Sequence, residues 1–134
     1  MPGKAVWGML LALLLGCEER DRLIFDTDPD DTNGPTSQIR NPSTDTTLTA
    51  DDALSTFTVE ARTVDSSGVD TVFIEVVGAN LAYPPIDAGG ADTVTFGFTL
   101  PLGNLVGQTI TVGVHGVDLL GNVGLIVVRE LTIE

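Results

Sequence analysis

Few side chains in this chain of 134 residues could carry out chemistry. His115 is its one histidine and Cys17 its one cysteine, which leaves little material for a zinc site or a serine–histidine pair. The one lysine is Lys4, no serine stands in a Gly-x-Ser-x-Gly turn, and no phosphate-binding glycine loop is present. We therefore predict that the protein is not an enzyme and has no catalytic residues. Hydrolysis through His115 is a remote alternative.

The elements that must position the remaining polar side chains are predicted to be strands. Apolar and polar residues alternate with a period of two in four segments: residues 55–63, 71–77, 93–100 and 110–115. A β-rich run over residues 125–133 follows, and clusters of Asp, Ser, Asn and Gly separate the segments. Short, regularly spaced strands without helices are typical of a β-sandwich or a barrel.

Three segments of the sequence indicate the type of β fold more specifically. Residues 63–69 and 116–122 resemble the B–C and F–G corners of bacterial immunoglobulin-like (Ig-like) domains, and residues 35–41 resemble their first strand. The resemblance covers residues 35–134 and implies an all-β fold, an Ig-like or fibronectin-III-like antiparallel β-sandwich of about seven strands without a disulfide. The cysteine pair and core tryptophan of vertebrate Ig domains are missing, since Trp7 lies before the domain.

The resemblance implies that one end of the sandwich carries several oxygen ligands. In an Ig-like fold the B–C and F–G loops share an end, which would bring together Asp65, Asp70, Asp118 and Asn122. Hard oxygen ligands from two adjacent loops suit calcium. The alternative is that Asp65 and Asp118 form turns, with their side chains accepting hydrogen bonds from nearby backbone N–H groups. No other metal or cofactor is predicted.

The Ig-like order also places strands C, F and G in one sheet with an outer face. We expect Val72 and alternate residues after it to face the core. On the last strand, the residues expected to face the core are Leu125, Val127, Leu131 and Ile133. The apolar residues between them must then face outward. That outward set is predicted to be a partner-binding patch of Phe73, Val77, His115, Ile126 and Val128. Alternatively, residues 23–25 or 83–86 cover it, or a bulge near Arg129 reverses the facing of the last strand.

The N-terminus holds a short apolar run from Val6 to Leu15 behind Lys4. The run is too short to span a bilayer as a helix, which takes roughly 20 residues, but it fits the apolar region of a signal peptide. The run ends in Leu14-Leu15-Gly16-Cys17, which resembles the lipobox of bacterial lipoproteins. A buried helix and an ordinary secretory signal are the alternatives.

The lipoprotein resemblance divides the chain into three parts. It implies a signal peptide over residues 1–16 and a diacylglyceryl group on Cys17, usually with a second, amide-linked chain. Residues 17–34 are then a lipidated cysteine and an acidic, flexible tether, and residues 35–134 are the Ig-like domain. Glu18, rather than an aspartate, follows the cysteine and favours the outer membrane if the organism has two membranes.

The charge of the chain limits its partners. The formal charge is −13, and loss of Lys4 with the leader would leave nineteen acidic residues against five arginines, or −14. Such a surface repels phosphate backbones and anionic headgroups, so we expect no nucleic acid and no membrane contact except through the lipid. The sequence thus predicts a lipid-anchored, non-enzymatic binding or scaffolding module of the cell envelope with a protein or glycan partner. The alternative is an accessory subunit that docks on a larger envelope complex through the C–F–G face.

Overall fold

The computed structural model describes residues 31–134. The predictions for the signal peptide, for Cys17 and for most of the tether lie outside the described residues. Among residues 31–134 no helix is long and apolar enough to cross a membrane. The described residues form six strands: β1 (Thr36–Asn41), β2 (Thr46–Leu48), β3 (Thr56–Val77), β4 (Ile86–Pro101), β5 (Thr109–Asp118) and β6 (Val127–Ile133). A 3₁₀ turn, Leu102–Asn104, follows β4.

The strands form one sheet that curls into two layers. Its order is β1-β3-β5-β6-β2, with β4 paired to β3 along most of its length. The first layer holds β1, residues 56–64 of β3 and residues 93–101 of β4. The second layer holds residues 86–91 of β4, residues 69–77 of β3, β5, β6 and β2. The predicted all-β sandwich is confirmed, with six strands because β3 and β4 each run through both layers.

One strand pair departs from the predicted antiparallel arrangement. The three residues of β2 run parallel to β6, with Thr46 opposite Leu131 and Leu48 opposite Ile133. The chain reaches this position after β1 by crossing from the first layer to the second. The other pairings are antiparallel.

The two long strands bend where turns are predicted. On β3, residues 65–68 stand opposite the single residue Asp92, and on β4, residues 88–90 stand opposite Asp70. The extra residues form bulges that turn the strands from one layer into the other. Gly68 has φ +91°, and a Cβ on it would lie 2.6 Å from the carbonyl oxygen of Gly90, so this close approach requires glycine.

The core fills the space between the layers with the predicted alternate residues. Val59 and Ala61 from the first layer pack against residues such as Val72 and Val112 from the second, and all four are fully buried. Burying each valine side chain contributes roughly 1.5–3 kcal/mol. The other fully buried apolar side chains are Ile39, Val69, Leu100, Ile110, Val114, Leu131 and Ile133.

Arg129 faces inward on β6 between Val127 and Leu131, and no bulge precedes it, because the β5–β6 register is continuous. The guanidinium donates hydrogen bonds to the carbonyl oxygens of Pro42 (3.2 Å) and Ile39 (3.3 Å), where the chain leaves β1. These charge-assisted bonds offset the cost of drawing a cation in from water. The prediction that Leu125 faces the core is wrong: it is 89% exposed, because β6 begins only at Val127.

Candidate functional site

Three carboxylates gather at one end of the sandwich. Asp65 lies in the bend of β3, Asp118 ends β5, and Asp31 belongs to the segment before β1. One oxygen from each lies within 4.8 Å of the others. Asn122 joins them, since its amide nitrogen donates to Asp118 Oδ2 at 2.8 Å. Three of the four residues predicted for this loop end, Asp65, Asp118 and Asn122, are therefore together, and Asp31 is added to them.

Asp118 closes the turn between β5 and the approach to β6. Its side chain is 1% exposed, and Oδ1 accepts hydrogen bonds from the backbone N–H groups of Leu120 (2.9 Å) and Asn122 (2.7 Å). With the bond from the Asn122 amide, this carboxylate accepts three hydrogen bonds. The turn also contains Gly121 at φ +87°, a conformation that other residues rarely adopt.

Asp31 ties the start of the described chain to this end. Its Oδ2 accepts a hydrogen bond from the Ser67 hydroxyl, and its backbone carbonyl accepts one from the Asn122 amide at 2.9 Å. Gly34 packs so closely on the backbone of Val123 and Gly124 that a side chain there would clash. Residues 31–34, which the sequence assigned to the tether, thus contact the sandwich. Local pattern could not reveal a contact that spans 91 residues.

Asp70 does not join the cluster. It is exposed on β3, and its Oδ2 accepts a hydrogen bond from the Thr71 hydroxyl at 3.2 Å. Of the four residues predicted as calcium ligands, three are therefore adjacent and the fourth is not.

Most oxygen atoms of the cluster already accept hydrogen bonds. Asp65 Oδ1 accepts from the Ser67 backbone N–H at 2.7 Å, and the Asn33 N–H donates to Asp31 Oδ1 at 2.9 Å. The interpretation of Asp65 and Asp118 as turn-formers is confirmed by these bonds. A calcium ion would have to share or replace them. A cleft of about 480 Å³ beside the cluster is also lined by Asp92, which adds further negative charge.

The surroundings of Asp65 and Asp31 shift the pKa values of both carboxyl groups. Burial raises the pKa of Asp65, and the negative charges of Asp118, Asp31 and Asp92 raise it further. The pKa of Asp31 is lowered, mainly by the hydrogen bond from the Ser67 hydroxyl. Ionised Asp65 is therefore a source of repulsion at neutral pH.

We expect Asp65→Asn to stabilise the protein slightly at pH 7. The amide oxygen can still accept from the Ser67 N–H, while the repulsion disappears. The gain is below about 1 kcal/mol because the site is partly exposed and screened. Because folding raises the pKa of Asp65, the wild-type protein gains stability from this group as the pH falls through its folded-state pKa. The gain from Asp65→Asn should therefore shrink towards pH 4 in thermal melts.

The same melts with calcium and with a chelator test the metal interpretation. If the carboxylates act as turn-formers, the melting temperature is the same in both, and Asp65→Asn is stabilising in both. A calcium-dependent rise of several degrees that Asp65→Asn removes would contradict this and identify a calcium site.

The second candidate site is the outer face of the second layer. Phe73 of β3 pairs with His115 of β5, and their rings stack at 5.1 Å with an interplanar angle of 16°. The next row holds Glu75, Gly113 and Val128. Gly113 has no side chain, and Ile126 lies over it. Ile126 and Val128 are 47% and 49% exposed. Together Phe73, His115, Ile126 and Val128 form what we call the outer apolar face.

Val77 lies at the margin of this face. It is 67% exposed, and its neighbours are Thr111, with which it pairs, and Glu75 two residues earlier on β3, so polar side chains separate it from the other four. Four further apolar residues at the F–G corner are also exposed and were not predicted: Leu119, Leu120, Val123 and Leu125. The pair Leu119-Leu120 within an otherwise polar turn is the sequence signal that could have identified them.

The described residues leave the outer apolar face open. Tyr83, from the loop that could have covered it, packs instead on Phe98 (ring centroids 5.0 Å apart) and donates to the carbonyl oxygen of Thr99 at 2.6 Å in the first layer. The bulge at Arg129 is not found. The other proposed cover, residues 23–25, lies outside the described residues.

The surroundings of His115 within residues 31–134 do not form a catalytic arrangement. Its Nδ1 is buried without a hydrogen-bond partner, and the nearest carboxylate oxygen, Glu75 Oε1, is 4.0 Å away. Within residues 31–134 no serine hydroxyl forms a hydrogen bond with its ring. The ring instead stacks on the ring of Phe73.

Comparison with known proteins adds little to this geometry. No protein-family model matches the sequence, and no curated protein matches it. A crystal structure of a mutant SrpA adhesin from Streptococcus sanguinis is similar in shape, with 18% sequence identity and a TM-score of 0.47. The match covers 78% of this chain and 57% of that chain, so this chain spans a little over half of its length.

Proposed function

We propose that this protein is a lipid-anchored, non-enzymatic binding module of the cell envelope, and that it holds a protein partner on its outer apolar face. The observation that carries the proposal is the face itself: Ile126 and Val128 stand nearly half exposed beside the stacked rings of Phe73 and His115. Contiguous exposed apolar surface on a folded domain often marks an interaction site.

The character of the face favours a protein over a glycan. A glycan presents hydroxyl groups that need hydrogen-bond donors and acceptors, and Ile126 and Val128 offer neither. A flat apolar centre with rigid aromatic rings and a charged rim is what protein interfaces use. Glu75, in the same row as Val128, and Glu130, in the next row, supply such a rim. This also supports the second candidate, an accessory subunit docked on a larger envelope complex through this face.

The proposed anchor is the lipid on Cys17. Thirteen residues, 18–30, separate Cys17 from Asp31, and fully extended they would span at most about 45 Å. This is long enough to hold the sandwich clear of the headgroups, which its acidic surface would repel. Glu18 favours the outer membrane in an organism with two membranes.

The proposal is tested by replacing Val128 with aspartate. Purification of the tagged protein from detergent-solubilised membranes should recover a partner with the wild-type chain. We expect Val128→Asp to lower that recovery at least about 10-fold, because a buried, unpaired carboxylate costs more than 1.4 kcal/mol at an interface. Val128 is on the surface, so the variant should melt within a few degrees of the wild type.

Val106→Asp is the matched control. Val106 is 55% exposed, lies in the loop before β5, and is not one of the residues of the outer apolar face. It should recover the partner as the wild type does. Equal recovery with Val128→Asp and Val106→Asp would reject this face as the binding surface.

A further inference from the structure

The edges of the curled sheet differ in how they are protected. Natural proteins protect edge strands by keeping them short, bulged or charged. The edge strand β2 has three residues, and β1 carries Arg40 and a register shift after Ile39. The first half of β4 carries Asp87 and the Gly89-Gly90 bulge. Each of these three edges therefore has a feature that discourages pairing.

The second half of β4 has none of these features. Residues 93–101 pair with β3 on one side only and in continuous register. The nine residues, Thr-Val-Thr-Phe-Gly-Phe-Thr-Leu-Pro, include no charge and are mostly β-branched or aromatic. Asp92 precedes the stretch and Pro101 ends it. Within the described chain, this is the one long, uncharged and unbulged edge.

Two side-chain hydrogen bonds show which backbone groups face away from β3. Asn41 Nδ2 donates to the carbonyl oxygen of Thr58 at 3.1 Å, so this carbonyl points to the β1 side and away from β4. Thr58 pairs with Thr99, whose carbonyl oxygen accepts the Tyr83 hydroxyl and so points outward. Because backbone direction alternates along an antiparallel strand, Thr93, Thr95 and Gly97 also point their N–H and C=O groups outward.

Tyr83 protects only one end of this edge. Its hydroxyl occupies the carbonyl of Thr99 and leaves Thr93, Thr95 and Gly97 uncovered. Burial raises the pKa of Tyr83, so the hydroxyl remains a protonated donor at neutral pH. The open part of the edge is thus three outward-facing residues long.

The geometry points to a second copy of this chain as the occupant of this edge, joined by antiparallel β4–β4 pairing about a two-fold axis at Thr95. In that register Thr95 faces the same residue of the second copy, and Thr93 faces Gly97. The three pairs can form up to about six main-chain hydrogen bonds without displacing Tyr83.

The side chains fit the same register. Val94 and Phe96 point towards the core but remain half-buried because no strand lies beyond them. Across the axis, Phe96 of one copy meets Val94 of the other as a close, non-hydrogen-bonded pair, which would bury the exposed remainder of both. A symmetric pairing therefore completes the core at this edge.

Charge favours self-pairing here rather than elsewhere. The chain carries a formal charge of −13, so two copies repel each other over most of their surfaces. The uncharged stretch from residue 93 to 101 is a place where they can approach without placing like charges side by side. This inference concerns a different surface from the outer apolar face and does not depend on it.

Cysteine crosslinking of the full-length protein in its own cells tests the pairing. At the two-fold axis the Cα atoms of residue 95 would lie about 5.5 Å apart, within the range that a disulfide spans. We expect oxidation of Thr95→Cys to shift more than about half of the chains to the mass of a dimer on a non-reducing gel, since the geometry allows the bond.

Two matched variants serve as controls. Thr93→Cys lies on the same strand and face, but its counterpart would be about 13 Å away, too far for a disulfide. Thr58→Cys lies on the same outer surface of the first layer, on the inner strand β3. Both should remain monomeric, as should the unaltered chain. Dimer formation by all variants alike, absence of a Thr95→Cys dimer, or crosslinking of Thr95→Cys to a different protein would each overturn the inference.

Discussion

Replacing Asp118 by alanine should lower the free energy of unfolding by about 3 kcal/mol, because three donors lose a buried, charged acceptor. Two of them, the backbone N–H groups of Leu120 and Asn122, lie in the F–G turn and have no other partner in it. Urea denaturation measures the loss directly. Asp70→Ala is the control, since its exposed carboxylate accepts only from the neighbouring Thr71, and it should cost less than about 0.5 kcal/mol.

Asp118→Asn distinguishes the acceptor role from the effect of charge. Its amide oxygen can still accept from both backbone N–H groups, but its NH₂ group would face the Asn122 amide, so an intermediate loss of about 1 kcal/mol is expected. If Asp118→Ala were no worse than Asp70→Ala, the F–G end would not depend on this carboxylate, and our account of the acidic cluster would be wrong.

Replacing Cys17 by serine should move the protein out of the membrane fraction almost completely. Each buried methylene of an acyl chain contributes about 0.8 kcal/mol, and two or more chains make the attachment long-lived. Without the thiol no lipid can be attached at this position, and the acidic remainder has no other affinity for anionic headgroups. We expect labelled fatty acid to be incorporated into the wild-type protein and not into Cys17→Ser.

Ser67→Ala is the control for the cysteine variant. It removes the hydroxyl that donates to Asp31, far from Cys17 in sequence, and should leave both membrane association and labelling unchanged. Labelling of Cys17→Ser, or its full retention in washed membranes, would rule out the proposed anchor. The folded domain would keep its outer apolar face in either case, so this result tests the anchor and is independent of the proposed partner binding.

The sequence predicted the core because burial in a sheet follows a simple period. Val59, Ala61, Val72, Val112 and Val114 alternate with glycine, polar or half-exposed neighbours, and the structure buries all five. The period of two gave a wrong prediction for Leu125, because β6 begins only at Val127 and Leu125 lies before it. It also gave no way to foresee that inward-facing Arg129 is accommodated by carbonyl groups of residues 39 and 42, because these lie about 90 residues away.

In the candidate sites, too, local contacts could be predicted from the sequence and contacts between distant residues could not. The hydrogen bonds that Asp65 and Asp118 accept from backbone N–H groups two to four residues ahead are local, and turn chemistry predicts them. Asp31 joins them only through tertiary contacts with Ser67 and Asn122. The open edge of β4 could not be predicted at all, since it depends on which strands lie beside each other.

The central claim is that a protein partner covers the outer apolar face in the cell, and photo-crosslinking tests it most directly. A photoreactive amino acid placed at position 128 or, as the control, at position 106 is activated in living cells, and the adducts are separated by mass. We expect position 128 to give an adduct of one defined mass and position 106 to give none. The absence of an adduct at position 128, or the same adducts at both positions, would contradict the proposed function.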